Sequence, residues 1–307
     1  MHELAGKEYL WHGVTWASGH PAALLADTKS RQLHTIQIIG QSLGLKVVNR
    51  DRFCTGRYGF IDTHHVEPVP CPAQAKATSS GQCAACSAQD EFRHAHQFHR
   101  GGYCPASLSA YMAQPHWLYI ATFANSASKV GTAAAPRKVS RLNEQGPTYA
   151  TYVAHAPDGR AVRDLEDAVS TQLGIPQTTR GSRDTDFLFD YRLSEIHDAH
   201  RSVIAAVAAA LRRIQQTPTD EAWTCPPEST LLRTPAPHGR RAAYPFQLRE
   251  GEHGFYIDAC LGGRILARLS PDVTATQYVL SLNALKGHRV LFGDFSSPET
   301  AHQESLF

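Results

Sequence analysis

Cys83-Ala84-Ala85-Cys86 is the feature that most restricts how this chain can fold. A C-x-x-C turn lets two thiolates face one ion while backbone N–H groups bond to the sulfurs, and tetrahedral zinc needs four such ligands. Cys54 and Cys71 lie upstream and bring the number to four. The surrounding sequence, with Pro70, Pro72, Ser79, Ser80 and Gly81, is too rich in loop formers to hold its shape by apolar burial alone. That is the setting in which a bound metal contributes most to folding. Residues 54–110 are therefore read as a cysteine-rich module whose structural zinc is held by Cys54, Cys71, Cys83 and Cys86. The plain alternative is a set of buried or surface thiols. A redox pair lacks the thioredoxin-like βαβ context such a motif requires. His94, His96, His99 and Cys104 follow closely, and would complete this site, form a second one, or simply be solvated.

Seven cysteines point to metal more than to disulfides if the compartment is reducing. The N-terminal Met1-His2-Glu3-Leu4 lacks the basic-then-apolar order of a secretion signal, and no apolar run is long enough to span a membrane. The expectation is a cytoplasmic protein with no membrane partner. Of 307 residues, 42% are hydrophobic and 19% charged, an ordinary composition for a chain that buries a core. With a net charge of +2, no global field draws the protein to polyanions, so a site for one has to be a local patch.

Both ends read as short strands separated by turn residues. At the front these are residues 9–16, 22–26, 33–39 and 46–48; at the back, 255–260, 265–269, 278–282 and 290–292. Thr35-Ile36-Gln37-Ile38 followed by Gly44-Leu45-Lys46-Val47 has a counterpart in Tyr278-Val279-Leu280-Ser281 followed by Gly287-His288-Arg289-Val290. This weak repeat suggests that segments 1–53 and 187–307 pack as one antiparallel β unit with the central modules inserted. The bland reading is two unrelated small sheets. Residues 193–215 read as a long helix with Ile196, Val203, Val207, Leu211 and Ile214 as its core stripe. Residues 218–252, with Arg233, Arg240 and Arg241, read as a linker or surface lobe, and 296–307 as a loose tail.

The central stretch, 111–186, has a different rhythm. Leu118-Tyr119-Ile120-Ala121 and Ser128-Lys129-Val130-Gly131 flank a turn at Asn125-Ser126, which reads as a hairpin. Pro136 can open a helix carrying Arg141, since its missing N–H would be unpaired there anyway. A strand over 149–154, a turn at Asp158-Gly159 and a helix with Val162, Leu165, Val169 and Leu173 at helical spacing complete the unit. Arg163 and Glu166 share one face of that helix. The polar loop 177–186 holds Arg180 and Arg183, as an anion clamp or a solvated connector.

This order resembles the GIY-YIG nuclease fold, a small sheet with two helices. By that resemblance Tyr119 matches the first-strand tyrosine, Val130-Gly131 the end of the second signature, Arg141 the helix arginine and Glu166 the metal-binding glutamate. Lys129 stands where the signature has its second tyrosine. The longer run Tyr103-Cys104-Pro105, Gln114-Pro115-His116-Trp117, Lys129-Val130-Gly131 and Arg141-Leu142-Asn143-Glu144-Gln145-Gly146 is similar to an uncharacterised bacterial family, well represented in actinobacteria. That family joins a cysteine-rich module to a GIY-YIG-like domain.

The resemblance implies an α+β chain with Tyr119, Arg141 and Glu166 as catalytic residues; Lys129, where the signature is not met, is read with them as added charge at the anion site or as a base or nucleophile if burial lowers its pKa, and His116, Gln145 and Arg163 are read as substrate-binding residues. It implies Mg²⁺ or Mn²⁺ at Glu166 beside the structural zinc, and a phosphodiester in nucleic acid as substrate. Two alternatives remain open: a non-catalytic nucleic-acid-binding protein, and an enzyme acting on a small metabolite in a specialised biosynthetic pathway. The residues taken alone also allow Tyr119 as a core aromatic and Arg141–Glu166 as an ordinary ion pair between helices.

Overall fold

The computed structural model describes residues 4–79, 81–179, 181–188, 192–234 and 241–298. It is mixed α+β, with large antiparallel sheets. The front of the chain supplies β1 (Glu8–Thr15), β2 (Ala22–Asp27), β3 (Leu33–Gln37) and β4 (Ser42–Val47). The cysteine-rich segment follows with β5 (Arg57–Phe60), β6 (Val66–Val69), α1 (Ala84–Gln89), two short 3₁₀ turns and α2 (Ala106–Met112). Next come β7 (His116–Thr122), β8 (Ser128–Ala134), α3 (Lys138–Gln145), β9 (Tyr149–Ala156) and α4 (Gly159–Leu173). The remainder is α5 (Leu193–Arg213), β10 (Glu221–Ala222), α6 (Thr230–Arg233), β11 (Arg241–Ala243), β12 (Gly251–Leu261), β13 (Arg264–Arg268), β14 (Gln277–Ser281) and β15 (Arg289–Phe292).

The two ends of the chain share one nine-stranded sheet, in the order β11-β14-β13-β12-β4-β15-β1-β2-β3. β4 is the seam: it pairs antiparallel with both β12 and β15, and β15 pairs in turn with β1. Trp11, Trp16, Leu25, Leu43, Phe255, Ile265 and Phe292 fill the main core on this sheet. The stretch read as a linker does not stay apart. β10 adds an edge to the central sheet and β11 pairs in parallel with β14, while Trp223 and Leu232 are buried. The helix read over 193–215 ends at Arg213, and Ile214 is partly exposed.

The central sheet runs β10-β9-β7-β8. The β7–β8 hairpin turns through Asn125, whose Oδ1 accepts from the Ala127 N–H at 3.1 Å. One face, with Leu118, Ile120, Val130, Val153 and Ala154, packs against Val162 and Val169 of α4 and Ile204, Val207 and Leu211 of α5. The other face, with Tyr119, Ala121, Ala133 and Tyr152, packs against Leu142 of α3 and Trp223. Asp158 caps α4 by accepting from the Ala161 N–H at 2.8 Å, the side-chain bond expected at a helix start. The Lys138 ammonium sits 3.6 Å over the Trp117 ring, and Trp223 Nε1–H donates to Asn143 at 2.9 Å, so α3 is fixed from both ends.

Candidate functional site

Four cysteine sulfurs meet at the first candidate centre. The Sγ atoms of Cys54, Cys71, Cys83 and Cys86 lie within 4.8 Å of one another, and all four residues are buried. Zn–S bonds of about 2.3 Å in a tetrahedron put sulfurs about 3.8 Å apart, and Cys71 and Cys83 are 3.9 Å apart. A disulfide would need about 2.05 Å. Backbone N–H groups of Gly56 and Cys86 point at the Cys54 and Cys83 sulfurs, at 3.3 and 3.5 Å. These are the outer bonds that orient thiolate ligands. Gly56 has φ +92°, and a Cβ there would run into the β6 backbone at Val69–Cys71, so the knuckle needs glycine. Burial pushes the Cys54 and Cys86 thiols up, while the Cys86 N–H pulls Cys83 down to about 7. The donor set fits a metal ion such as zinc.

None of the four other candidate ligands joins this group; among the described residues it is the only cluster of three or more metal-ligand side chains. His99 Nε2 faces Asp167 of α4 at 3.0 Å, and Arg100 meets the same carboxylate at 2.6 and 2.8 Å. Gln177 adds a bond at 2.6 Å. His94 lies edge-on to Tyr103, and the Cys104 thiol turns toward the Pro105 carbonyl. The histidine-rich turn thus docks the cysteine module onto α4.

The second centre lies at the β8 edge of the central sheet, between α3 and α4. The β7–β9 register slips between the Leu118–Ala154 and Tyr119–Tyr152 pairs, leaving Val153 as an extra residue. Such a bulge re-aims side chains, and here Tyr119 and Tyr152 share the α3 face. Tyr119 pairs across the ladder with Gly131, and a Cβ at Gly131 would lie 2.5 Å from the Tyr119 hydroxyl. Only glycine leaves room for that ring. Gln145 Nε2 donates to the hydroxyl at 2.6 Å, and Arg141 also hydrogen-bonds it. Both donors favour a phenolate, but burial is the larger effect and raises Tyr119 above the ordinary phenol value. Tyr119 therefore keeps its proton at neutral pH.

Lys129 and Glu166 complete the group. Lys129 is held down to about 8, first by burial and then by repulsion from Arg141, with Glu166 partly offsetting both. Glu166 is only 3% exposed, and burial raises it in spite of Arg163, which donates to Oε2 at 2.6 Å. The charges of Arg141 and Glu166 thus reach both Tyr119 and Lys129, and of the expected substrate residues Gln145 contacts Tyr119 and Arg163 contacts Glu166. His116 is buried with Nδ1 against the Gln114 carbonyl at 2.7 Å; the Arg163 charge reaches it, but no hydrogen bond links it to the cluster. Arg180 lies outside the described residues, and Arg183 is exposed and paired with Asp186. Sequence reading missed the bulge and the Asp167 clamp, neither of which has a local signal. No protein-family model, curated protein or solved structure matches the chain.

Proposed function

We propose that the β8-edge cluster binds and hydrolyses a phosphodiester of nucleic acid, in the manner of a divergent GIY-YIG-like enzyme with a structural zinc. The observation that carries this reading is the meeting of Tyr119, Gln145, Lys129, Arg141, Arg163 and Glu166 from two strands and two helices at one sheet edge. Three cations against one carboxylate favour an anion, and their burial strengthens their pull on phosphoryl oxygens. Arg141 and Arg163 bind the phosphate. Glu166 would hold a divalent ion, which would supply positive charge to the phosphoryl group, and the Arg163 contact would have to yield for it.

Proton transfer is divided by the two shifted groups. Tyr119, neutral, donates a hydrogen bond to the phosphoryl oxygen or the incoming water. Lys129, at about 8, is unprotonated in about a tenth of molecules at pH 7. It is the better candidate to take the proton from water, and it stands at the place of the second signature tyrosine. Labelled single-stranded, duplex and structured RNA and DNA incubated with Mg²⁺ or Mn²⁺ test the reading. Cleavage should disappear in Glu166→Ala; cleavage that survives this change removes Glu166 as the metal ligand. Binding without cleavage would favour a second reading, a protein that grips a nucleic-acid backbone without cutting it. The Arg163–Glu166 pair, which already occupies the carboxylate, is the observation on that side.

A further inference from the structure

A cleft of about 840 Å³ opens where the cysteine module, the nine-stranded sheet and α3 meet. Its walls include none of Tyr119, Lys129, Arg141 or Glu166. The volume lies within the range of sites that enclose a drug-sized ligand, roughly 300–1,000 Å³. The charge on its walls is unbalanced. Arg52, Arg57 and Lys286 have no carboxylate within 4.0 Å among the described residues, although Glu67 shares the rim. The other two acids are engaged: Asp90 accepts from Gln82 at 2.7 Å, and Glu144 from Arg137 at 2.6 Å.

His12 supplies an independent sign. It lines the cleft, is 6% exposed, and its Nε2 is buried without a partner. An orphaned polar atom costs roughly 1–3 kcal/mol unless something meets it. Burial and the Lys286 charge hold His12 down to about 4, so the ring is neutral and offers one donor and one acceptor. Tyr58, 43% exposed, adds an aromatic side chain to the cleft lining. Cations, a neutral hydrogen-bonding ring and a stacking surface make up the recognition chemistry of a nucleotide.

We propose that this cleft binds a phosphate-bearing ligand of nucleotide size, with its phosphates on Arg52 and Lys286, a polar group on His12 and its base against Tyr58. A free nucleotide and one unit of a single strand share this chemistry. The cleft borders the β8-edge cluster, since the Arg141 charge reaches Tyr58 and His96, but no residue of that cluster lines it and its ligand does not depend on the hydrolytic reading.

The full chain is titrated in calorimetry with inorganic pyrophosphate, with adenosine 5′-diphosphate and with a short single-stranded oligonucleotide. At least one probe should bind, and Arg52→Glu or Lys286→Glu should each weaken it about tenfold or more and flatten its salt dependence. Both residues are exposed, so melting temperature should not change. Arg212→Glu, an exposed α5 position outside the cleft, should bind as wild type does, which separates a specific site from general charge. Binding of the diphosphate alone identifies a free nucleotide, and binding of the oligonucleotide alone identifies a strand. No binding of any probe, or binding indifferent to Arg52→Glu and Lys286→Glu together, overturns the proposal.

Discussion

Gly131→Ala is the sharpest test of how the β8-edge cluster is built. The added methyl would lie 2.5 Å from Tyr119 Oη, 2.6 Å from Cζ and 2.9 Å from Cε2. Carbon contacts are optimal near 3.5–4.0 Å. The ring is 1% exposed and its strand is tied to β8 and β9 on both sides, so it has nowhere to go. Overpacking of this kind costs roughly 1–3 kcal/mol, and three overlaps below 3.0 Å put it near the top of that range. Replacing a strand glycine returns about 0.5–1 kcal/mol. The net expectation is a loss of about 2 kcal/mol, read as a fall of about 4–8 °C in Tm. In a Tyr119→Leu background the same change should cost less than about 0.5 kcal/mol, since the clash partner is gone. A Gly131→Ala protein as stable as wild type would show that the ring does not lie over Gly131.

Three further outcomes are expected. Metal analysis should find about one zinc per chain, and Cys83→Ser or a strong chelator should release it and open residues 54–110 to protease; a metal-free protein with titratable thiols would contradict this. Asp167→Asn should cost about 1–2 kcal/mol, carried mainly by buried His99 because Arg100 is 59% exposed and screened. Its partners hold Asp167 well below the usual carboxylate value. That contribution is therefore complete above about pH 4, the unfolded value, and fades as pH falls further. Wild type and Asp167→Asn should converge in acid denaturation, and a constant gap would refute the clamp. Affinity for a phosphodiester should fall as pH rises through about 8, where Lys129 loses its charge, and Lys129→Arg should flatten the profile; an unchanged profile would remove Lys129 from the site.

Much of this architecture is legible in the residues because its signals are local. Short β-rich runs between turn residues mark β1, β2, β12 and β13, and the 3.6-residue spacing of Val162, Leu165 and Val169 marks α4. The shared sheet was suggested by the echo of 35–47 in 278–290, and β4 does pair with β15. What the sequence hides is decided at long range. β10 and β11 are two and three residues long and exist only because β9 and β14 offer them an edge. His99 carries no sign that its partner is Asp167, since 68 residues separate them. The Val153 bulge depends on how two strands slip. At the metal centre the opposite holds, because spacing and residue type carry most of the chemistry and a knuckle closes on itself.

The proposed hydrolysis requires Tyr119 and Arg141 to work as a unit on a phosphodiester. Single-turnover cleavage of a labelled oligonucleotide by wild type, Tyr119→Phe, Arg141→Ala and the double variant measures this directly. Each single change should slow cleavage about a hundredfold or more, with the double variant little worse than either. Cleavage at the wild-type rate in either single variant would contradict the assignment.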